Sequence, residues 1–263
     1  MHLFEFMDLD WLPKSLRDTL RDILECGNGA PFRTYYSWVA NSALRIAREN
    51  NLKQIVELGC GTAPITRHLA RLSELPSDIK LVPCDLNPDR GALAEAKSLR
   101  PEQIEPILEP VDFSQPRRWP SDTLLLLSAT FHHIPVEHRV AVLRPMLDST
   151  EHVVIFEPLQ RNLLSYLFVV GSLVPALLTP LWYLHRPGTL RRLVWCWLLP
   201  VAPLMFLWDG WASCWREWTK ADWESAVGEL PSSTQLSWES SLFSSATRLA
   251  RKAQEPAGSV AGS

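Results

Sequence analysis

An α/β fold, with a doubly wound, seven-stranded, mostly parallel sheet, is predicted by three observations. Short apolar runs recur ahead of polar turns at residues 55–56, 81–82, 107–111, 124–127 and 152–156. The first run ends in a glycine turn, Glu57-Leu58-Gly59-Cys60-Gly61, followed by a helix-like stretch over 64–72. A strand that passes through glycines into a helix places backbone at the carboxyl edge of a parallel sheet, where α/β proteins bind ligands. The four leucines at 124–127 form the continuous apolar run of a strand buried on both faces.

The elements follow in chain order. Residues 1–50 read as an N-terminal helical cap. Leu16, Leu20, Ile23 and Leu24 repeat at helical spacing, and a second helix is expected from about 36 to 49. Tyr35 and Tyr36 open that helix; they are candidates for lining a substrate pocket, with ordinary packing as the alternative. The sheet core spans 51–158. Glycines at 59 and 61 let a ligand approach the backbone, and Glu57 is an acceptor for a polar ligand group. The third glycine of the dinucleotide fingerprint is absent, since position 64 is Pro; that disfavours a nicotinamide-dependent oxidoreductase. Pro64 instead suits the first turn of a helix. The second strand ends at Asp85, 24 residues after Gly61, where an acid reaches a ribose diol in Rossmann-like folds. Asn87 lies close behind.

These residues together resemble class I S-adenosylmethionine (SAM) methyltransferases, whose first motif is E/D-x-G-x-G. The resemblance covers roughly residues 50–158. It implies a Rossmann-like fold, SAM as cofactor and methyl transfer as the reaction. It implies cofactor contacts from Glu57, Gly59, Cys60, Gly61, Asp85, Leu86, Asn87 and Ser128. Asp112 and Phe113, after the third strand, match the family positions that meet the adenine amino group and ring. Ser128-Ala-Thr-Phe-His-His-Ile-Pro135 is similar to the His-His step that many members carry after strand four. If the acceptor must lose a proton, His132 or His133 is the candidate base. Asp209 is a second candidate catalytic group, and Glu157, at the end of strand five, a third polar group for the substrate pocket.

Residues 159–218 read as an apolar helical hairpin inserted after the fifth strand. No Asp or Glu occurs from 158 to 208, and residues 163–184 carry no charge. A helix of that length is about 33 Å long, enough for a bilayer core. The second limb, 193–208, is shorter, and Pro175, Pro180, Pro200 and Pro203 kink or break both. Eight of the twelve Trp fall between 182 and 223, as in an aromatic belt. SAM is cytosolic, so a spanning hairpin would put Arg186, Arg191 and Arg192 outside, against the positive-inside rule. The favoured arrangement is partial embedding from the cytosolic side with those arginines near lipid phosphates. A two-pass hairpin, and an apolar lid or dimer face, are the alternatives. Trp208, Trp211, Trp215 and Trp218 share a helix face. The segment Asp209-Gly210-x-x-Ser213-x-x-Arg216 is similar to one in membrane-associated bacterial members with a comparable helical pair.

Residues 219–254 complete the core, with a capping box at Thr219–Asp222 and strands at 234–238 and 244–249. A disordered tail is expected over 255–263. The formal charge of −3 and the absence of a basic stripe exclude a nucleic-acid partner. Five scattered cysteines signal neither zinc nor a disulfide framework, so no metal is expected. The first ten residues lack a secretory signal pattern. The expected protein is membrane-associated with its catalytic domain facing the cytoplasm, acting on a small-molecule or lipid acceptor. The alternative is a membrane-anchored binding or scaffold protein that keeps the fold without turnover.

Overall fold

The structure, a computed structural model, describes residues 3–27 and 30–251; the tail expected over 255–263 lies outside them. The chain divides into two compact units. The larger comprises Ser37–Glu157, Thr219–Ser240 and the segment from Ser245. Its strands are β1 (Gln54–Leu58), β2 (Lys80–Cys84), β3 (Thr123–Ser128), β4 (His152–Glu157), β5 (Thr234–Ser240) and β6 (Ser245–Arg251). Its helices are the end of α2 (Ala30–Glu49), α3 (Pro64–Arg71), α4 (Arg90–Leu99), α5 (Arg139–Ser149) and α10 (Lys220–Val227).

The strand order is β2-β1-β3-β4-β6-β5, with β1 to β4 parallel and β5 and β6 antiparallel. The order reverses between β1 and β3, so the crevice of an open α/β sheet lies beyond the carboxyl ends of these two strands. Leu124, Leu125, Leu126 and Leu127 are fully buried at the sheet centre.

The fold is mixed α/β and Rossmann-like, but six strands are present among the described residues instead of seven. The missing one is the run at 107–111. That segment does track β2: Glu105, Ile107 and Val111 N–H donate to the carbonyls of Leu81, Pro83 and Asp85. Only Leu81 and Ile104 form a bridge. The Leu81 N–H donates outward to Gln103, but Pro83, two residues on and facing the same edge, has no N–H to give. The edge ladder is interrupted there, which is where proline is tolerated in a sheet.

Helix starts follow their caps. Asp89 accepts from Ala92 N–H at 3.0 Å to open α4. The predicted capping box opens α10, with Thr219 and Asp222 exchanging side chain-to-backbone bonds.

The smaller unit comprises residues up to Tyr36, Pro158–Trp218 and Ser241–Ser244. It contains α1 (Lys14–Gly27), α6 (Leu163–Gly171), α7 (Leu173–Trp182), α8 (Thr189–Leu193), a π-helical turn at Val194–Leu198 and α9 (Val201–Arg216). The expected two-limbed hairpin is thus a set of shorter helices. The first limb changes at Ser172, because Pro175 has no donor for the Gly171 carbonyl. The second bends by 75° between Leu198 and Val201, beside Pro200. The core of this unit joins Leu12, just before α1, and Leu16, Leu20 and Ile23 of α1 to Ala176, Cys196 and Ala202.

Two of the three arginines between the limbs are paired within the chain. Arg191 pairs with Asp18 at 3.0 Å and with Asp22; Arg192, 4% exposed, bonds Asp22 at 2.7 Å and the Pro187 carbonyl at 2.9 Å. Arg186 stays exposed and lies over the Tyr183 ring.

Candidate functional site

The carboxyl ends of β1, β2 and β3 bring most of the expected cofactor residues together. After Leu58 the chain turns through Gly59 (φ +66°) and Gly61 (φ +54°), both in the left-handed region that favours glycine. The two glycines do different things. A Cβ at Gly59 would stand 2.4 Å from Thr130 Cγ2, so this glycine lets the turn pack onto the end of β3. A Cβ at Gly61 would meet nothing within 4 Å: its φ is the turn's demand, and the space beside it is open. The Cys60 N–H donates to the Cys84 carbonyl at 3.0 Å, pinning the turn to β2. Burial raises the Cys60 thiol well above its ordinary range and pushes Cys84 up to about 12, so both stay protonated.

Asp85 stands at the end of β2, half-buried. One carboxylate oxygen accepts the Gly61 N–H at 2.8 Å and the other the Asn87 N–H at 2.8 Å. A carboxylate offers about four lone-pair sites, so two bonds leave acceptor capacity on the side of the glycine turn. Leu86, 51% exposed, projects an apolar side chain next to it. Asp112 Oδ1 accepts from Ser114 N–H (2.9 Å) and Ser114 Oγ–H (2.6 Å), which fixes its carboxylate. Asp112, Phe113, Leu58, Val111 and Trp119 line one shallow recess, with the Arg117 guanidinium over the Trp119 ring. The Arg117–Trp119 plate carried no sequence motif, and only folding brings it to Phe113.

Glu57 is placed differently from the expectation. It is buried, and its oxygens accept the Ile65 N–H (3.3 Å), the Thr66 N–H (2.9 Å) and the Thr66 Oγ–H (2.6 Å). It therefore ties β1 to the first turn of α3, satisfying donors that a helix start leaves open. Thr66, unremarked in the sequence, is its partner. Burial pushes the Glu57 carboxyl up to about 7 against the pull of these donors. The sign follows by linkage: the folded state holds the proton more tightly, so this group's contribution is complete below pH 4.5 and is lost as pH rises through about 7. We expect the urea midpoint of the wild type to fall over that window and that of Glu57→Gln to fall measurably less.

At the end of β3, Ser128 pairs in register with Phe156, and Ala129 adopts φ +54° before a turn of 3-10 helix, Phe131–His133. His132 points inward: its Nδ1 lies 2.9 Å from Glu157 Oε2, and its N–H donates to Glu157 Oε1 at 3.3 Å. Glu157 closes β4 and is itself buried. The fully buried Arg139 bonds the carbonyls of His132 and Ile134, holding the turn from beneath. His133 lies outward, its ring 4.4 Å from that of His132. The pair is thus split between packing and surface. Tyr35 and Tyr36 lie ring against ring on α2, centroids 5.5 Å apart.

Asp209 lies on α9 in the smaller unit, where its oxygens accept the Phe6 N–H (2.7 Å) and the Met7 N–H (3.2 Å). Burial pushes its carboxyl up to about 7. The rest of its motif does related work. Ser213 bonds Glu5, Arg216 bonds the Leu3 carbonyl, Glu5 and Asp8, and a Cβ at Gly210 would stand 2.7 Å from Val169 of α6. The Asp-Gly-x-x-Ser-x-x-Arg segment fastens residues 3–8 and α6 to α9.

No protein-family model matches this chain, and no curated protein matches it in sequence. In fold it is similar to the plantazolicin methyltransferase solved with S-adenosylhomocysteine (SAH), at 12% identity, with 92% of this chain and 93% of that chain covered and a TM-score of 0.57. It is similar also to the magnesium protoporphyrin IX methyltransferase from Synechocystis PCC 6803 with bound SAH, at 14% identity, covering 92% and 97%, with a TM-score of 0.54. At these identities the likeness is one of fold: the chain has the Rossmann-like fold of class I SAM-dependent methyltransferases.

Proposed function

We propose that the chain is a SAM-dependent methyltransferase acting on a small, lipophilic or membrane-resident acceptor. The observation that carries this is the arrangement at the switch point: a left-handed glycine with open space beside it, bonded to an acid that ends the next strand. Asp85 is the group to take the ribose hydroxyls, Leu86 and Phe113 to cover the adenine, and Asp112 to accept from its amino group. Backbone at Gly59, Cys60, Gly61 and Asn87, with Ser128 across from them, would line the cofactor's other face. Glu57 supports this site by holding α3. When bound, SAM supplies a methyl group on a sulfonium, ready for in-line displacement at carbon. The protein's task is then to hold the acceptor in line and keep water away.

His133 is the residue we assign to the acceptor proton, since it lies outward at the end of β3. His132, Glu157 and Arg139 are positioning residues that fix its turn. The apolar smaller unit supplies the reason for a lipophilic acceptor and for residence at a membrane, with the SAM-binding unit on the cytoplasmic side. Calorimetric titration tests the cofactor assignment. SAH is expected to bind saturably and NAD not at all, and Asp85→Ala is expected to weaken SAH by at least about tenfold, the effect of losing one or two charge-assisted hydrogen bonds. NAD binding, or an Asp85→Ala variant equal to wild type, would contradict it.

A further inference from the structure

The membrane reading above leaves open how the bilayer is met, and the smaller unit constrains this. From Leu163 to Trp182 the mean hydropathy is 1.8, yet only 28% of the most apolar window is buried. Among the exposed side chains, Leu163, Leu167, Val170, Val174, Leu178 and Leu181 follow helical spacing along the full length, and Leu164, Leu177 and Trp182 widen that apolar face. Three hydroxyls of the same stretch bond within the chain. Ser165 Oγ accepts the Gln160 N–H, Ser172 donates to the Val169 carbonyl, and Thr179 donates to the Pro175 carbonyl. The indole N–H of exposed Trp197 donates to the Leu177 carbonyl at 2.7 Å. A protein partner would require about one hydrogen bond per 100–200 Å² of interface, and this stripe offers almost none. Hydrocarbon requires polar groups to be satisfied internally, which these are.

Charge decides the depth and the lipid. The α1 helix packs on α7 and α9 through Leu16, Leu20 and Ile23, and turns Lys14, Arg21 and Glu25 outward. Were α6 and α7 to cross a bilayer, those charges would travel with them into hydrocarbon, where they are costly. Three of the unit's arginines are paired within it, Arg191 and Arg192 with Asp18 and Asp22 and Arg216 with Glu5 and Asp8, while Arg186, after α7, stays exposed over the Tyr183 ring. The unit's sequence holds nine Lys and Arg against eight Asp and Glu.

We propose that the stripe on α6 and α7 lies in the plane of one leaflet and binds it by apolar insertion, with no requirement for anionic lipid. It rests on the membrane reading but not on methyl transfer. The test is flotation of the full chain with vesicles of phosphatidylcholine alone and with added phosphatidylserine, at low and high salt, SAH affinity being measured on the same preparation. Partition is expected to agree within about twofold between the two vesicle types and to withstand salt. Each arginine available to headgroups would instead favour the anionic vesicles about fivefold. Leu167→Glu with Leu178→Glu, both at exposed positions, is expected to reduce partition by more than about tenfold with SAH affinity unchanged. A His185→Cys variant is expected to react with an impermeant maleimide added outside the vesicles. A salt-sensitive preference for phosphatidylserine overturns the proposal, as does protection of that cysteine, which marks a spanning helix. Failure to float, with a dimer in sedimentation velocity, overturns it in favour of a self-association face. None of these outcomes bears on SAH binding, which fails or succeeds separately.

Discussion

Arg216→Ala is expected to destabilise the protein by about 3–5 kcal/mol, the range for breaking a buried ion pair by removing one partner. Arg216 is 3% exposed; its guanidinium lies 2.9 Å from Glu5 and 3.2 Å from Asp8, and its Nε donates to the Leu3 carbonyl at 2.6 Å. Glu5 is 4% exposed and accepts from Ser213 as well. Deleting the guanidinium leaves a buried carboxylate without its cation, which costs more than the pair itself contributes. Arg216→Lys keeps the charge but not the planar fork that serves three acceptors, so an intermediate loss is expected. Adding Glu5→Gln to Arg216→Ala removes the stranded charge and should recover part of the loss. Urea unfolding of the three variants checks this. A loss below about 1 kcal/mol for Arg216→Ala, the size of a surface pair, would mean that the cluster is solvated.

Gly61→Asn is expected to lower SAH affinity by about a hundredfold or more while leaving the unfolding midpoint nearly unchanged. Asn accepts the left-handed conformation with little strain, and a Cβ at this position touches nothing. The added side chain would occupy the space in which a ligand approaches the turn, and lost backbone contacts to a charged ligand are worth several kcal/mol together. The neighbouring glycine gives the contrast, since a side chain at Gly59 strikes Thr130 and disturbs the fold itself. Calorimetric SAH titration beside urea unfolding separates the two effects. Wild-type affinity in Gly61→Asn would place the ligand elsewhere.

Much of the core was legible because its signals are local. The glycine turn, the acid ending β2 and the four leucines of β3 each state their role within a few residues, and so does the Thr219–Asp222 box. What escaped depends on distant partners. Nothing local to Asp209 shows that Phe6 and Met7, some two hundred positions earlier, donate to it. Arg191 and Arg192 look like lipid-facing cations until Asp18 and Asp22 of α1 reach them. The edge segment at 107–111 has a strand's composition, but its regularity is decided by Pro83 on the neighbouring strand. Glu57 was correctly placed at the strand end, yet the direction of its side chain is set by Thr66, nine residues away and across a turn.

Methyl transfer itself is tested most directly by incubating the protein in membranes with methyl-labelled SAM and a total lipid extract from its host, then partitioning the products. The account predicts label in the organic phase, dependent on an intact Asp85 and reduced in His133→Ala while SAH binding persists. SAM binding with no label above control in either phase would contradict it, leaving a methyltransferase fold without turnover.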